Sequence, residues 1–561
     1  MMASTEGAVE DAGARASGQG DEAPKAQEAS LKRKSAEPKK QTAKKKKKAR
    51  ASRAARPGYT VHEGEDMLLV ISSSASQYDG SVWAPKKKRG KKKNAATSKG
   101  KGKKNAATKK KKSKTILRTA AVEERGEEMF VAAKPSDHRW GQSLPEEVLV
   151  NIFKMVLTQD GAIPFLCRAA RVCRLWNAAA ATPVLWRKVA VGHCWVAPGK
   201  SQLPKTQSQI KDTVDWLAQN RFSQLRDFSL HHWSKNVDHA VDVVSQFCPH
   251  LSALTLSYCT GLTATAFRSL GRHGRSLRRL NLQYAEFQVE GLLAYLESHG
   301  AQIRQIWFTH GWKNDRVLAS ISRGCCPDLE LLEVNTRLDS KDGELAVCVQ
   351  ALQTACPKLK TFRMLNIHPL HKSMRNAAQL SPGFPLLEEL CIATASYSYV
   401  TDKYLRDILF GSPRLRVLDL RGCSQITSAG LAALPCLELE CLFWGQYFSS
   451  HVVSSSLKKG LHAVTQKWKH TLRQLDVANQ LFSEEDLELA MCHLASANNA
   501  NILHSLNLSG TRITPAALRS LIGQMTALDY LNLSSCRSLP RGLKRVYRGQ
   551  EAIRQLLDKL E

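Results

Sequence analysis

Few residues in this chain have the types and spacing that catalysis requires. Gly199-Lys200-Ser201 ends like a loop whose backbone N–H groups and lysine cradle phosphates, but Cys194 stands where the upstream glycine is needed. No helix opens behind it, so the segment reads as an ordinary loop. His231-His232 offers two imidazoles to a metal, yet no second ligand pair follows at useful spacing. There are 15 cysteines and no two stand three apart, which leaves no C-x-x-C zinc or redox motif. G-x-S-x-G, H-E-x-x-H and G-x-G-x-x-G are absent as well, and the acids are scattered. The expectation is a chain that is no enzyme and holds no metal or cofactor.

Chemistry of another kind, that of holding a partner, has a regular carrier. Leu225, Leu251, Leu277, Ile303 and Leu329 stand at a constant step, 251−225 = 26 and likewise to 329. Each opens L-x-x-L-x-L or a close variant. The tail of that phrase alternates apolar and polar, which suits a short strand with one buried face. Leu359, Leu387, Leu415, Leu439, Leu472, Leu503 and Leu528 continue the series at less even steps. After each strand comes a turn and then a helical stretch. Thr263, Thr401, Thr427, Ser483 and Thr514 are placed to cap those helices, and Pro515 suits a first helical position. One strand and one helix per 20 to 30 residues is the mark of a leucine-rich repeat, whose units share a continuous core only when stacked. The expected fold class is therefore α/β, a leucine-rich-repeat solenoid of horseshoe form, with about twelve units over 223–535 and a C-terminal helical cap over 536–561.

In such a solenoid the strands line the concave face, and side chains alternating with the buried leucines point outward. These include Arg279, Asn281, Gln283, Trp307, Glu333, Arg363, Asp419 and Arg421, with Phe443 further on. A tryptophan among both signs of charge suits a protein interface better than an RNA groove. Arg279, Trp307, Glu333, Arg363, Asp419 and Arg421 are the expected substrate face. The recurrent C-P-x-L at Cys248, Cys326 and Cys356, and Cys259, Cys423 and Cys536 after the strands, read as small buried thiols filling the turns. Unpaired thiols and the absence of an apolar leader point to a reducing, intracellular compartment, and no run is long and apolar enough to cross a membrane.

The charge is uneven. The chain carries 82 Lys+Arg and 50 Asp+Glu, a net of +32. Residues 1–118 hold 32 and 11 of these, so 32−11 = +21 resides there. Such a segment repels itself and is expected to be a disordered tail. Lys44–Lys48 and Lys86–Lys93 suggest importin binding, a nuclear or nucleolar address beside the cytoplasm, and a nonspecific affinity for nucleic acid. An apolar island spans Tyr59–Ile71 and is open to docking either on a partner or on the repeats. A linker follows over 119–138.

Residues 139–188 differ from both neighbours. Ser143, Pro145 and two acids open a helix whose Leu149, Ile152, Phe153 and Val156 recur at helical spacing. A second stripe runs from Phe165 to Trp176, and a third short stretch carries Leu185-Trp186. Three short helices bury little alone, so part of their apolar surface is available to a partner. Leu144-Pro145-x-Glu147-Val148-Leu149-x-x-Ile152-Phe153, then Val172-Cys173-Arg174-x-Trp176 and Leu185-Trp186, resembles an F-box. With the repeats behind it, and a connecting segment over 189–222, the chain resembles the F-box and leucine-rich-repeat family. One departure is a longer stretch near Thr158–Pro164, expected to be a loop. The resemblance implies that Leu144, Pro145, Val148, Leu149, Ile152, Phe153, Val172, Cys173, Trp176 and Trp186 form a module for the Skp adaptor, through which cullin and RING subunits are joined. It implies that the repeats hold a protein substrate for ubiquitination. A competing expectation is a nuclear or nucleolar scaffold that binds RNA or ribosomal precursors through its tail.

Overall fold

The computed structural model describes residues 60–63, 69–72, 144–192, 204–311, 314–336, 343–371, 382–395, 398, 400–446, 457–496 and 501–560. The rest of the Lys-rich tail, the linker, Ser143 and Gly199-Lys200-Ser201 lie outside them. Within the Tyr59–Ile71 island, β1 (Thr60–Glu63) pairs antiparallel with β2 (Leu69–Ser72).

Three helices come next, α1 (Glu146–Asp160), α2 (Phe165–Ala169) and α3 (Arg174–Ala181), closed by a tight turn at Pro183–Trp186. The single stripe expected from Phe165 to Trp176 is broken into two helices, because Cys173 is extended and serves as the N-cap of α3. The Thr158–Pro164 stretch is also more than a loop. α1 continues to Asp160, and Ala162 and Ile163 are buried against the module.

Strand and helix then alternate. β3 (Lys188–Val191) and α4 (Pro204–Asn220) lead into β4 (Asp227–His231), α5 (Val237–Phe247), β5 (Ala253–Ser257), α6 (Ala264–His273), β6 (Arg279–Leu282) and α7 (Val289–His299). β7 (Gln305–Thr309), α8 (Asp315–Ser320) and β8 (Leu331–Asn335) follow. The middle is less even: β9 (Glu344–Val347), α9 (Val349–Ala355), β10 (Thr361–Leu365), β11 (His368–His371), β12 (Glu389–Cys391) and α10 (Asp402–Leu409). Then come β13 (Val417–Asp419), α11 (Ser428–Ala432), β14 (Cys441–Phe443), α12 (Leu461–Trp468), β15 (Gln474–Asp476) and α13 (Glu484–Ala495). The last are β16 (Ser505–Asn507), α14 (Pro515–Gln524), β17 (Tyr530–Asn532), β18 (Val546–Arg548) and α15 (Gln550–Leu560).

Fourteen strands form one sheet in the order β18-β17-β16-β15-β14-β13-β12-β10-β8-β7-β6-β5-β4-β3, while β9 and β11 pair apart. All neighbours in it are parallel except β17 and β18. Strong sequence periodicity accounts for this sheet. Each of the twelve phrase-opening residues, Leu225 to Leu528, is buried two positions before its strand. The next leucine position stacks in register: Phe228 on Leu254, Leu254 on Leu280, Leu280 on Ile306, Ile306 on Leu332, and on to Leu506 beside Leu531. Burying one such side chain contributes about 1.5–3 kcal/mol, and each has neighbours only because the next unit supplies them.

Helix starts follow the sequence. Thr263, Thr401, Thr427, Ser483 and Thr514 each accept a backbone N–H from the first turn of α6, α10, α11, α13 and α14. The turn cysteines Cys248, Cys259, Cys326, Cys356 and Cys423 are buried, with Cys536 half-buried. Burial pushes the Cys248, Cys356 and Cys423 thiols up to about 12.

Both ends of the sheet differ from the sequence reading. Lys188–Val191 straddles the expected end of the F-box-like segment, and Val189 stacks on Phe228. At the other end the C-terminal segment is not helix alone. β18 returns antiparallel along β17 before α15 packs Ile553, Leu556 and Leu560 into the core.

Candidate functional site

The three-helix module is organised around Phe153. Its ring meets Phe165 edge-on at 5.4 Å and Trp176 at 5.3 Å. Leu149, Leu166, Leu185 and Trp186 fill the same interior. Trp186 donates its indole N–H to the Ala180 carbonyl at 2.8 Å and lies 5.9 Å from Phe222, so the module and the first strand share one core. With the inner face of α1 satisfied, an apolar stripe remains exposed among the polar residues of its outer face. Val148 is 40% exposed, Ile152 39%, Met155 72% and, beyond α2, Val172 62%. Val148, Ile152 and Met155 stand at i, i+4 and i+7, one stripe along a helix. Exposed β-branched and thioether side chains in such a row gain nothing in the free module and gain apolar burial against a partner.

The concave side of the sheet divides in two. From β4 to β7 it is polar and open, with a cavity of about 270 Å³ lined by residues that include Asp227, Thr255, Arg279, Asn281, Gln283 and Trp307. Arg279 is exposed and Trp307 half-exposed. From β8 to β14 the same side is buried. Arg363 sits between two carboxylates, donating from Nε and Nη2 to Glu389 at 2.8 and 3.1 Å and from Nη1 to Glu333 at 3.1 Å. Gln283 donates to the other Glu333 oxygen. Burial pulls the Arg363 pKa down, but the hydrogen bonds and charges of Glu389 and Glu333 outweigh it and hold it above its ordinary value. Further on, Arg421 forks onto Asp419 at 2.6 and 3.0 Å and lies 5.1 Å over the Phe443 ring. Val417, Cys441 and Phe443 form an apolar cluster there, and Leu365, Cys391 and Ala393 another. Burial pushes the Asp476 carboxyl up at the end of this zone.

Among the described residues no group of three or more His, Cys, Asp or Glu could hold a metal, and no helix is long and apolar enough to cross a membrane. His231 is half-exposed on β4 and His232 exposed beyond it.

Comparison with known proteins bears on the module first. The F-box-like family model matches residues 142–191, and the Leucine Rich repeat model matches 411–434. The chain joins an F-box-like domain to leucine-rich repeats. Antagonist of mitotic exit network protein 1 of Eremothecium gossypii is 26% identical over 242 residues, 42% of this chain and 56% of that protein. F-box/LRR-repeat protein 4 of Bos taurus is 24% identical over 247 residues, 41% of this chain and 34% of its own length. F-box protein SKIP1 of Arabidopsis thaliana is 24% identical over 300 residues, 52% of this chain and 82% of its own length. The chain thus spans about half of the first of these relatives and a third of the second. A crystal structure of the yeast Rad7 and Elc1 complex superposes with a TM-score of 0.38 at 14% identity, over 74% of this chain and 91% of that one.

Within the F-box-like domain the ten expected residues fall into three groups. Pro145, Val148, Ile152 and Val172 are exposed; Leu149, Phe153 and Trp186 are buried; Leu144, Cys173 and Trp176 are in between. Phe153 and Trp186 therefore cannot be the aromatic anchors of a docked partner, because their faces are already spent on the module's own core. Met155, the most exposed of the stripe, was not singled out from the sequence. Its signal was its position, three after Ile152 on the same helical face.

The expected substrate face needs a larger correction. Arg279 and Trp307 are accessible, but Glu333, Arg363, Asp419 and Arg421 are buried. Strands about 4.8 Å apart hold Glu333 in register beside Arg363, so the charges consume each other. Asp419 and Arg421 do the same within one strand end. Phe443 is buried too. A signal for this was present: the alternate positions read Asp227, Thr255, Arg279, Asn281 and Gln305 early, but Leu365, Cys391, Ala393, Val417, Cys441 and Phe443 later. An outward-facing series that turns apolar is no longer facing water.

Proposed function

We propose that this chain is the substrate-recognition subunit of a Skp–cullin–RING ubiquitin ligase. The apolar stripe Val148, Ile152, Met155 on α1, with Val172 beside it, carries the reading, since the module leaves it uncovered while packing everything beneath it. The names of the relatives F-box/LRR-repeat protein 4 and F-box protein SKIP1 support it. In this reading the chain supplies no reacting group. It acts by proximity, holding a protein target on the open concave strands β4–β7 so that a conjugating enzyme meets the target's lysines at high effective concentration. Because Val189 of β3 stacks on Phe228 of β4 and Trp186 packs on Phe222, the domain that takes the adaptor is rigidly continuous with the repeats that take the target. A flexible joint would dilute that proximity.

The +21 tail supports a second, compatible proposal: importin binding through Lys44–Lys48 and Lys86–Lys93, with nuclear residence and a salt-sensitive affinity for nucleic acid. The scaffold alternative, in which the tail carries the whole function, predicts a full chain that ignores the adaptor. The test is reconstitution of the purified full chain with Skp adaptor, cullin and RING subunits on a sizing column. Co-elution that requires the adaptor is expected. A folded chain that elutes apart from an assembled adaptor–cullin–RING complex contradicts the proposal.

A further inference from the structure

The position seven residues after each phrase-opening leucine has a backbone preference of its own. It is left-handed at His232, Tyr258, Tyr284, Asn366, Gly422, Asn479, Gly510 and Ser535, with φ between 56° and 85°. His310, Thr336, Thr394 and Gln446 hold the same place without a left-handed backbone, and the left-handed copies from Asn366 onward are Asn, Gly or Ser, which adopt that region readily or carry little bulk. At Gly422 a Cβ would lie 2.0 Å from the Thr394 carbonyl oxygen. The first three units instead place His, Tyr and Tyr there, where bulky side chains are rarely found. Their rings stack in a column, His232 on Tyr258 at 4.5 Å and Tyr258 on Tyr284 at 4.6 Å, within 11° of parallel. Tyr258 remains 48% exposed. Strained backbone bearing exposed aromatics points toward function.

A second irregularity stands at the opposite end of the same strands. The position one after the phrase-opening residue forms a row of charges. From Arg304 it alternates and is compensated: Arg304 with Glu330 at 3.2 Å, Glu330 with Lys360 at 3.5 Å, then Arg416 with Glu440, and Glu440 with Arg473 at 3.5 Å. Before Arg304 the row reads Arg226, Ser252 and Arg278, with Arg279 next to it. These three arginines are exposed and make no ion pair among the described residues. The two acids that line the cavity with Arg279 are already engaged, Asp227 with Lys188 at 3.9 Å and Glu333 with Arg363.

We infer that the open third of the concave face, bounded by Arg226, Arg278 and Arg279 on one side and the His232–Tyr258–Tyr284 column on the other, takes an extended acidic peptide segment of a partner protein. Stacking leaves the ring edges outward, and those edges carry the positive end of the aromatic quadrupole, joined by the hydroxyl of the exposed Tyr258 as a donor. Both borders therefore favour carboxylates and backbone carbonyls over cations. Trp307 and Thr255 in the cavity between them supply the apolar and hydrogen-bonding floor. Six residue steps separate Arg226 from His232 and Arg278 from Tyr284, about 20 Å, and β4 to β7 span about 14 Å, so about six extended residues fit between the borders. The inference deepens the ligase reading, because it names the chemistry of the segment that the repeats would hold.

The test uses the full chain and a probe of about eight residues, glutamates flanking one photoreactive benzoylphenylalanine, with crosslinks located by mass spectrometry. Crosslinks are expected within residues 226–310. Three exposed charge contacts together are worth enough that Arg226→Ser, Arg278→Ser, Arg279→Ser should cut the yield about tenfold. Arg416→Ser, in the compensated part of the row, should leave it unchanged. Tyr258→Asn keeps the left-handed backbone, so it should lower the yield while the melting temperature stays or rises; a ring that serves packing alone would show the reverse. Crosslinks confined to residues 1–118, or an unchanged yield in the triple variant, overturn the inference. Adaptor capture measured on the same samples separates the readings: probe binding without adaptor capture contradicts the ligase proposal alone, and adaptor capture without probe binding contradicts this inference alone.

Discussion

Removing the guanidinium of Arg363 should be among the most damaging single changes in the repeats. The side chain is buried and makes three charge-assisted hydrogen bonds, two to Glu389 and one to Glu333. Hydrogen bonds to charged groups typically contribute about 1.5–3 kcal/mol each, but here three charges are taken out of water together. Desolvating the whole buried ion group offsets most of its attraction, so the intact triad adds little net stability, but Arg363→Ala leaves two carboxylates buried without a cation. The expected loss is about 3–5 kcal/mol. The deficit should depend on pH in a defined direction. Without Arg363 the burial of Glu333 and Glu389 raises their folded-state pKa values above those of the unfolded chain. The folded variant then binds protons more readily, and its deficit shrinks as pH falls. Urea unfolding followed by circular dichroism at neutral and acid pH measures both effects. Arg363→Met combined with Glu333→Gln and Glu389→Gln should recover most of the loss, because no uncompensated charge remains. A loss under about 1 kcal/mol for Arg363→Ala, the size expected of a surface pair, would show that water reaches the triad and refute the reasoning.

Two further predictions concern other units. Asp486 accepts from the backbone N–H of Leu461 at 2.9 Å, from that of His462 at 3.3 Å and from the His462 ring, capping α12 from the neighbouring helix. Burial raises its pKa, but these hydrogen bonds outweigh that and hold the carboxyl below the usual range. Asp486→Ala should cost about 1–2 kcal/mol near neutral pH. Because the folded pKa is depressed, that contribution is lost as pH falls through it, so wild type and variant should converge in acid urea titrations; a constant gap would contradict the assignment. Cys325 lies 3.6 Å from Cys326, whose hydrogen bond lowers the Cys325 thiol to about 7 against partial burial. It should alkylate with iodoacetamide faster than Cys248 or Cys356 at neutral pH, and Cys326→Ala should slow it. Equal rates in peptide mapping would count against this.

The repeat architecture was legible because its physics is local and repeated. A leucine or isoleucine two positions before each of the twelve phrase strands, and in five units a Thr or Ser at the helix start, are readable one unit at a time, and Leu225 to Leu528 and the caps Thr263 to Thr514 fall where that reasoning puts them. The ends were less legible. β3 has no L-x-x-L-x-L phrase of its own; Trp186 takes the leading place, two residues before Lys188, and only stacking on β4 makes it a strand. The F-box-like pattern did not say which of its residues point inward. Leu149 and Val148 are neighbours in sequence and opposite in burial, and one-residue differences on a helix turn on where the rest of the domain packs. The concave face misled most. Alternation tells which side of a strand a residue takes, not whether water is there, and at Arg363 and Asp419 it is not.

The central claim rests on α1, and the direct measurement is calorimetric binding of purified Skp adaptor to the full chain and to a Val148→Asp, Met155→Asp variant. Both side chains are exposed, so the variant should keep the melting temperature of the wild type. The account predicts that the wild type binds and that two buried charges at the interface weaken binding by about hundredfold or more, about 2.7 kcal/mol. A folded wild-type chain that does not bind the adaptor, or a variant that binds it equally well, would contradict the account.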